Sequence, residues 1–501
     1  MGIIKRQSFK ATIVSYIGVA LGYLNIILIL PKYLSTTQIG LIRVMTDAAT
    51  LFAAFASLGM INASQRFFPR FADNHGKHKG FVLFTYLVPY AGVVTLGLCL
   101  FAFSDVFLQP FQKNAPELIH FAWLLPFFTF LTLSLSLLET HASNLFRIVV
   151  PKVLRDIYLR VVLSALVLLF AARCISFQGL VYAHVLAYFP AVIFLVVYII
   201  KLSQGRLSGK TIWPSKSENK EILTYCSFIL IGGIGSMVAN KIDSFMLSSM
   251  LPNGLSKNGI YTTALFIATI IEIPGRSIIS ISIPVVTRAL EDKDYDRVSS
   301  MYKNTSTFMF STGFFLFLLV WLNAHDIFMI MPKGTEFETG KYVILFLGIA
   351  RLLDAVTSLN MTILLYSAYY KVSLLLIVVL GGLTIALNYY LIPLYGITGA
   401  AIATAIAILL YQVIASTYLY LVFKMQPFSI GTIKTLVTGI TCWILIVFIP
   451  DIRNPFVNIF IHSFTLILLF GGITILWKTM PELNQRLNSI LSRFNTSKPH
   501  E

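Results

Sequence analysis

Long apolar runs constrain this chain more than any other feature. About 20 apolar residues wound as a helix match the hydrocarbon thickness of a bilayer. Stretches of that length recur along almost the whole sequence, separated by charged or Pro/Gly/Asn-rich punctuation. Fourteen can be delimited, at approximately 10–31, 41–64, 80–104, 118–139, 153–173, 178–200, 222–250, 259–283, 304–323, 341–366, 372–392, 396–423, 430–449 and 456–477. The narrowest separations are 366–372 and 392–396, where Tyr366-Ser-Ala-Tyr-Tyr-Lys371 and Pro393-Leu-Tyr-Gly396 are the turns available. Residues are 57% hydrophobic and 12% charged, against roughly 25% charged in a soluble domain. Helices apolar on every side need lipid around them, and a large soluble catalytic domain is excluded. The expected fold is an all-α polytopic membrane protein.

The basic residues orient it. With fourteen spans and the N-terminus in the cytoplasm, twenty-six of the 38 Lys and Arg fall in cytoplasmic segments or at the span ends beside them, seven in or beside outer loops and five deeper inside spans. That is the positive-inside pattern. A missed or surplus span would exchange the sides of every later loop and destroy it, so the count and the orientation support each other, with both termini cytoplasmic. The same distribution argues against a nucleic-acid partner, despite the net charge of +17. A nucleic-acid reader gathers its charge on one face of a soluble fold.

Several chemistries find no support. Cys99, Cys174, Cys226 and Cys442 have no CxxC spacing and read as small hydrophobes. His75 and His78 are spaced like metal ligands but sit in a basic loop without a Cys or carboxylate cluster, so no metal is expected. Gly205-Arg-Leu-Ser-Gly209-Lys210-Thr211 is one residue short of a phosphate-cradling loop and follows no strand. No cofactor is implied. Transport would draw on an ion gradient (Na+ or H+), on the membrane potential or on the substrate's own gradient. The N-terminal Met1-Gly2-Ile3-Ile4-Lys5-Arg6 lacks the Ser/Thr of an acylation signal, and the first apolar run is expected to stay as a span.

Two stretches about 220 residues apart look alike. Tyr33-Leu-Ser-Thr-Thr-Gln-Ile-Gly40 opens the second span, and Leu251-Pro-Asn-Gly-Leu-Ser-Lys-Asn-Gly259-Ile-Tyr261 opens the eighth. Gly179-Leu-Val-Tyr-Ala-His184 and Gly399-Ala-Ala-Ile-Ala-Thr404 pair in the same way at the sixth and twelfth. Six spans separate each pair, as in a parallel repeat about an axis along the membrane normal. The segment Leu387-Asn388-Tyr-Tyr-Leu-Ile-Pro393-Leu-Tyr-Gly396-Ile-Thr-Gly399-Ala-Ala-Ile-Ala-Thr404 resembles the signature of bacterial polysaccharide flippases. Leu30-Pro-Lys-Tyr-Leu-Ser-Thr-Thr-Gln-Ile-Gly40, and Lys241-Ile-Asp243 followed by Gly259-Ile-Tyr261, fit the same pattern. These flippases form a branch of the multidrug/oligosaccharidyl-lipid/polysaccharide exporter superfamily.

The resemblance implies two six-helix pseudo-repeat bundles around a central cavity, plus two C-terminal helices. On this chain that gives 1–201 as the N-terminal bundle, 202–221 as a cytoplasmic linker, 222–423 as the C-terminal bundle, 424–477 as the added pair and 478–501 as a cytoplasmic tail. It also implies a monomer in the bacterial inner membrane. The implied partners are membrane lipids, a lipid-linked oligosaccharide substrate, and the polymerase and chain-length regulator of surface-polysaccharide assembly.

Charges inside spans are costly and normally face protein or water. Arg43 and Asp47 lie four apart on one span face, Glu272 and Arg276 four apart around Pro274-Gly275, and Arg351 and Asp354 three apart. Lys241 and Asp243 lie two apart, so they point to different sides and need partners elsewhere. One reading makes each a salt bridge within the bundle. The functional reading has Lys241, Arg276, Arg351 and Arg43 meet the phosphate of a lipid-linked sugar, with Asp47, Asp243, Glu272 and Asp354 keeping the empty cavity near neutral. Asn25, Asn240, Asn388 and Tyr261 are candidate sugar contacts, and interhelical bonds explain the asparagines equally well. Together with the resemblance, these features point to a flippase, not an enzyme. It would carry undecaprenyl-(pyro)phosphate-linked oligosaccharide to the outer leaflet by alternating access, for O-antigen, lipopolysaccharide or capsule synthesis. The alternatives are a cation-coupled multidrug exporter of the same fold and a polysaccharide polymerase or ligase.

Overall fold

The computed structural model describes residues 2–71, 75–203, 211–477 and 479. Most of the expected tail (478 and 480–501) and residues 204–210 of the expected linker, including most of the Gly205–Thr211 segment, lie outside the described residues. Among the described residues every regular element is a helix, and no strand is present. Ten of these helices are long and apolar enough to cross a membrane. Large apolar side chains lie exposed along them, Phe101, Phe448 and Leu476 among the most open, which suits a lipid surround.

One of the ten, Tyr370–Phe423, runs 54 residues. At 1.5 Å per residue that is about 80 Å, far beyond a ~30 Å hydrocarbon core. It is broken at Gly396 (φ 60°, ψ −134°), three residues after Pro393, in a backbone region that glycine alone enters cheaply. The chain also turns at 366–369, where the sequence offered its narrowest separation. Three other apolar stretches are built from shorter pieces. Val149–Val153 and Leu159–Ala171 flank the π turn Leu154–Tyr158. Gly254–Ala268 and Ile273–Glu291 flank the 3-10 turn Thr269–Glu272. Lys341–Val356 and Asn360–Leu365 are parted by residues 357–359.

The residues group into two compact units. The first comprises 1–263 and 381–397, the second 264–380 and 398–501. In the first, the helix Thr36–Ala56 starts at a capping box in which Ser35 and Gln38 bond each other's backbone N–H. It buries Leu41, Val44, Met45 and Ala49 against Phe128, Leu131 and Leu135. Its glycine lets another helix come close: a Cβ on Gly40 would lie 1.8 Å from the Leu255 carbonyl oxygen, and one on Gly259 2.2 Å from that of Thr36. Thr36 and Ser256 hydroxyls bond at 2.7 Å beside this contact. These are the two look-alike openings of the sequence, packed on each other. Small residues let backbones touch where lipid supplies no hydrophobic drive between helices.

In the second unit, Phe310, Phe314 and Phe317 of the helix Tyr295–Leu322 pack with Cys442, Ile446, Leu466 and Phe470. These last four come from Ile430–Val447 and Pro455–Leu476, the final two helices. Gly439 makes room for the Phe314 ring, since a Cβ there would lie 2.3 Å from it. Two bonds tie Pro455–Leu476 to the end of Tyr295–Leu322 and the short helix after it: Asn323 to Ser463 (3.3 Å), and Asn458 to Asp326 of Ala324–Ile330 (3.4 Å).

Candidate functional site

In the first unit the charged residues of two helices meet at Asp47. This carboxylate sits mid-helix in Thr36–Ala56 with 4% of its side chain exposed. Lys241, from the helix Lys216–Met250, donates to Oδ1 at 2.5 Å, and Ser244, one turn on, donates to Oδ2 at 3.2 Å. Arg43 stands one turn before Asp47, its Nε 3.4 Å from Oδ2. That is ion-pair distance without hydrogen-bond alignment, and Arg43 Nε is buried with no acceptor among the described residues. Two cations therefore share one carboxylate. The outer parts of both remain open, 34% for Arg43 and 23% for Lys241. A partly desolvated Arg–Lys pair whose outer parts stay open is suited to an oxyanion.

Asp243, two residues from Lys241, faces elsewhere, as the spacing requires. Tyr261 donates to its Oδ2 at 2.5 Å and Asn388 to its Oδ1 at 2.6 Å, all three side chains being buried. Asn25 donates to the Arg160 carbonyl at 2.9 Å and accepts from Ser164 at 2.5 Å. It lies in the π turn Leu24–Ile29, and its partners Arg160 and Ser164 belong to Leu159–Ala171. Asn240 is exposed and donates to the Ser236 carbonyl of its own helix. The structure thus joins Arg43, Asp47 and Lys241, and separately Asp243, Tyr261 and Asn388. It sets Asn25 apart.

The second unit holds a cavity of about 310 Å³. Its polar wall, Glu272, Arg351, Asp354 and Gln412, is backed by a chain of contacts. Arg351 Nε meets Glu272 Oε1, and Arg351 Nη1 lies 3.6 Å from Asp354 Oδ2. Gln412 donates to Asp354 Oδ1 at 2.8 Å. Asn360 in turn donates to Gln412 Oε1 at 3.0 Å and Ser416 Oγ at 2.9 Å, while Tyr302 donates to Asn360. Ile271, Pro274, Met309, Ala355 and Met361 supply the apolar wall. Two of the lining helices are interrupted at the cavity, at Thr269–Glu272 and at 357–359. Pro274 helps set the first break: it lacks an N–H and sits in the opening turn of Ile273–Glu291, where none is needed. Irregular backbone at membrane depth is tolerated where it is buried in protein or lines a cavity.

Arg276 belongs to Ile273–Glu291, but its side chain lies outside the described residues. Among the described side chains Arg351 meets two carboxylates, whereas Asp47 meets two cations. Sequence reasoning passed over Gln412, Asn360, Tyr302 and Ser244. A neutral Gln or Asn inside an apolar run was the available signal, and the charged residues nearby drew attention from it.

No protein-family model matches the chain. Among curated proteins, "Probable low-salt glycan biosynthesis flippase Agl15" of Haloferax volcanii is 24% identical over 293 residues, covering 57% of this chain and 60% of that relative. The match thus spans about 60% of the length of the curated relative. A solved structure described as "Lipid II flippase MurJ, inward closed conformation" superposes with a TM-score of 0.70 at 12% identity, over 93% of this chain and 98% of that one. An inward-facing multidrug resistance MATE family transporter of the MOP superfamily gives 0.63 at 13% identity, over 82% and 94%. The chain is a multi-pass membrane protein with the fold of the multidrug/oligosaccharidyl-lipid/polysaccharide exporter (MOP) superfamily. The resemblance to that superfamily's flippases is borne out, and these relatives are flippases and transporters, not enzymes.

Proposed function

We propose that this protein moves a polyprenyl-(pyro)phosphate-linked oligosaccharide, such as the undecaprenyl form, from the cytoplasmic to the outer leaflet. The observation that carries this reading is the Arg43–Lys241 pair around Asp47, both of whose side chains remain partly open. A lipid-linked saccharide carries its negative charge on the phosphate that such donors fit. Asp47 holds the two cations together while the site is empty and competes with the phosphate, so the headgroup can leave. Arg276, in the helix Ile273–Glu291 of the second unit, is a separate candidate cation. The glycan flippase relative and the flippase structure support the substrate class.

We further infer fourteen crossings. Counting Tyr370–Phe423 as two at Gly396, and each of the three interrupted stretches as one, raises the ten long helices to that number. Two six-helix repeats, two added helices, cytoplasmic termini and alternating access belong to the same reading, as does a place in the cell membrane beside a polysaccharide polymerase.

Multidrug export is the second reading, favoured by the likeness to the MATE structure and by the two carboxylates around Arg351. Exchange of the candidate cations, Arg43 and Lys241 in the first unit and Arg276 in the second, separates the two readings. Arg43→Ala, Lys241→Ala and Arg276→Ala are each expected to abolish surface-glycan export with normal protein levels in the membrane. Normal export by the Arg43 and Lys241 variants, with loss of drug resistance instead, would favour the second reading.

A further inference from the structure

In the cavity of the second unit the described cation, Arg351, meets two carboxylates. We propose that this cavity is a glycosyl-binding pocket, taking one hydroxyl-rich sugar ring of the lipid-linked substrate. This rests on the flippase reading for its source of sugar and assigns a different part of the substrate to a different set of residues.

Its size and wall point this way. About 310 Å³ is at the lower end of small-molecule sites and far exceeds the roughly 30 Å³ share of one water, so a bare ion or a proton leaves it mostly empty. Apolar side chains form one part of the lining, and convergent polar groups of Glu272, Asp354, Gln412, Thr357 and Ser358 form the other. Carboxylates accept only, so the matching ligand presents several donors, as sugar hydroxyls do. More than a third of the Asp354 side-chain surface (37%) remains open although Gln412 and Arg351 hold both oxygens.

The polar groups are also fixed before any ligand arrives. Gln412 donates to Asp354 and accepts from Asn360, so its amide cannot turn over without losing both bonds. Asn360 is set in turn by Tyr302 and Ser416. Orientation is thus settled by residues behind the wall, which lowers the ordering cost of binding. Gly313 leaves part of the space: a Cβ there meets Ala355 Cβ at 3.5 Å, Leu352 Cδ2 at 3.6 Å and Ile271 Cγ2 at 3.7 Å, ordinary contacts that allow a side chain to be added.

The test uses the purified full chain in nanodiscs. Saturation-transfer NMR is run with free hexoses, 6-deoxyhexoses, N-acetylhexosamines and, as a cationic control, ethidium. Undecaprenyl phosphate binding is read separately by thermal shift. At least one sugar is expected to give a signal that Gly313→Leu and the isosteric Asp354→Asn both lose and Arg43→Ala keeps. The undecaprenyl phosphate shift is expected to vanish in Arg43→Ala and survive in Gly313→Leu. No sugar signal in the folded wild type, a sugar signal that Asp354→Asn retains, or ethidium alone sensitive to that change overturns the pocket. Loss of the phosphate arm alone overturns the phosphate reading and leaves the pocket standing.

Discussion

Asp47 is held by three groups at 2.5, 3.2 and 3.4 Å, so the Asp47–Lys241 pair is open to a double-mutant cycle. Removing one partner of a buried ion pair costs about 3–5 kcal/mol when the other charge is stranded. Here Lys241→Ala leaves Ser244 and Arg43 beside the carboxylate, and Lys241 itself is part-exposed, so a smaller loss of about 1–3 kcal/mol is expected. Asp47→Ala should destabilise comparably, and the double variant by less than the sum, as read from thermal melts in detergent. Transport should stay lost in all three if Lys241 meets the substrate and Asp47 positions it. The sequence made the Arg43–Asp47 and Arg351–Asp354 pairs legible through helical spacing. It also showed that Lys241 and Asp243 must part company. It could not name their partners, because Lys241 meets a residue 194 positions away, and spacing carries no information about contacts between distant helices.

Helix breaks carry the second set of expectations. Gly396 combines φ 60° with ψ −134°, and its Cβ position is open space. Gly396→Ala should therefore destabilise by about 1 kcal/mol or more through backbone strain alone. Gly40→Ala meets a different obstacle: a carbon 1.8 Å from the Leu255 carbonyl oxygen cannot be accommodated unless the two helices separate. Overpacking of this kind costs roughly 1–3 kcal/mol, and Gly259→Ala should act alike. A melting temperature unchanged in both would show that the helices do not touch there. The turn at Gly396 was legible because Pro393 and Gly396 stand between long apolar runs. The breaks at Thr269–Glu272 and 357–359 were not. Of these, Pro274-Gly275 hinted at the first, while Thr357-Ser358-Leu359 carries no helix breaker. The π turns Leu24–Ile29 and Leu154–Tyr158 likewise contain neither Gly nor Pro.

At the scale of the molecule, hydropathy fixed the all-helical class, because no other structure satisfies so much backbone in lipid apart from a closed barrel. The charge bias predicts sides. Cysteines placed in 288–303 should react with a membrane-impermeant thiol reagent only after the cell is opened, and cysteines in 324–340 should react from outside. The opposite labelling would invert the topology. The last two helices bury Cys442, Ile446, Leu466 and Phe470 on the phenylalanines of Tyr295–Leu322, a role in packing that composition alone could not assign. The central claim is that this chain carries lipid-linked saccharide outward. The most direct measurement is the leaflet in which such lipid lies when the chain is deleted from its own cells, read by access of an impermeant saccharide-modifying enzyme to intact and opened spheroplasts. Accumulation protected until the membrane is opened, together with loss of surface glycan, is the predicted result. Saccharide lipid equally accessible from outside with and without the chain, and surface glycan unchanged, would contradict it.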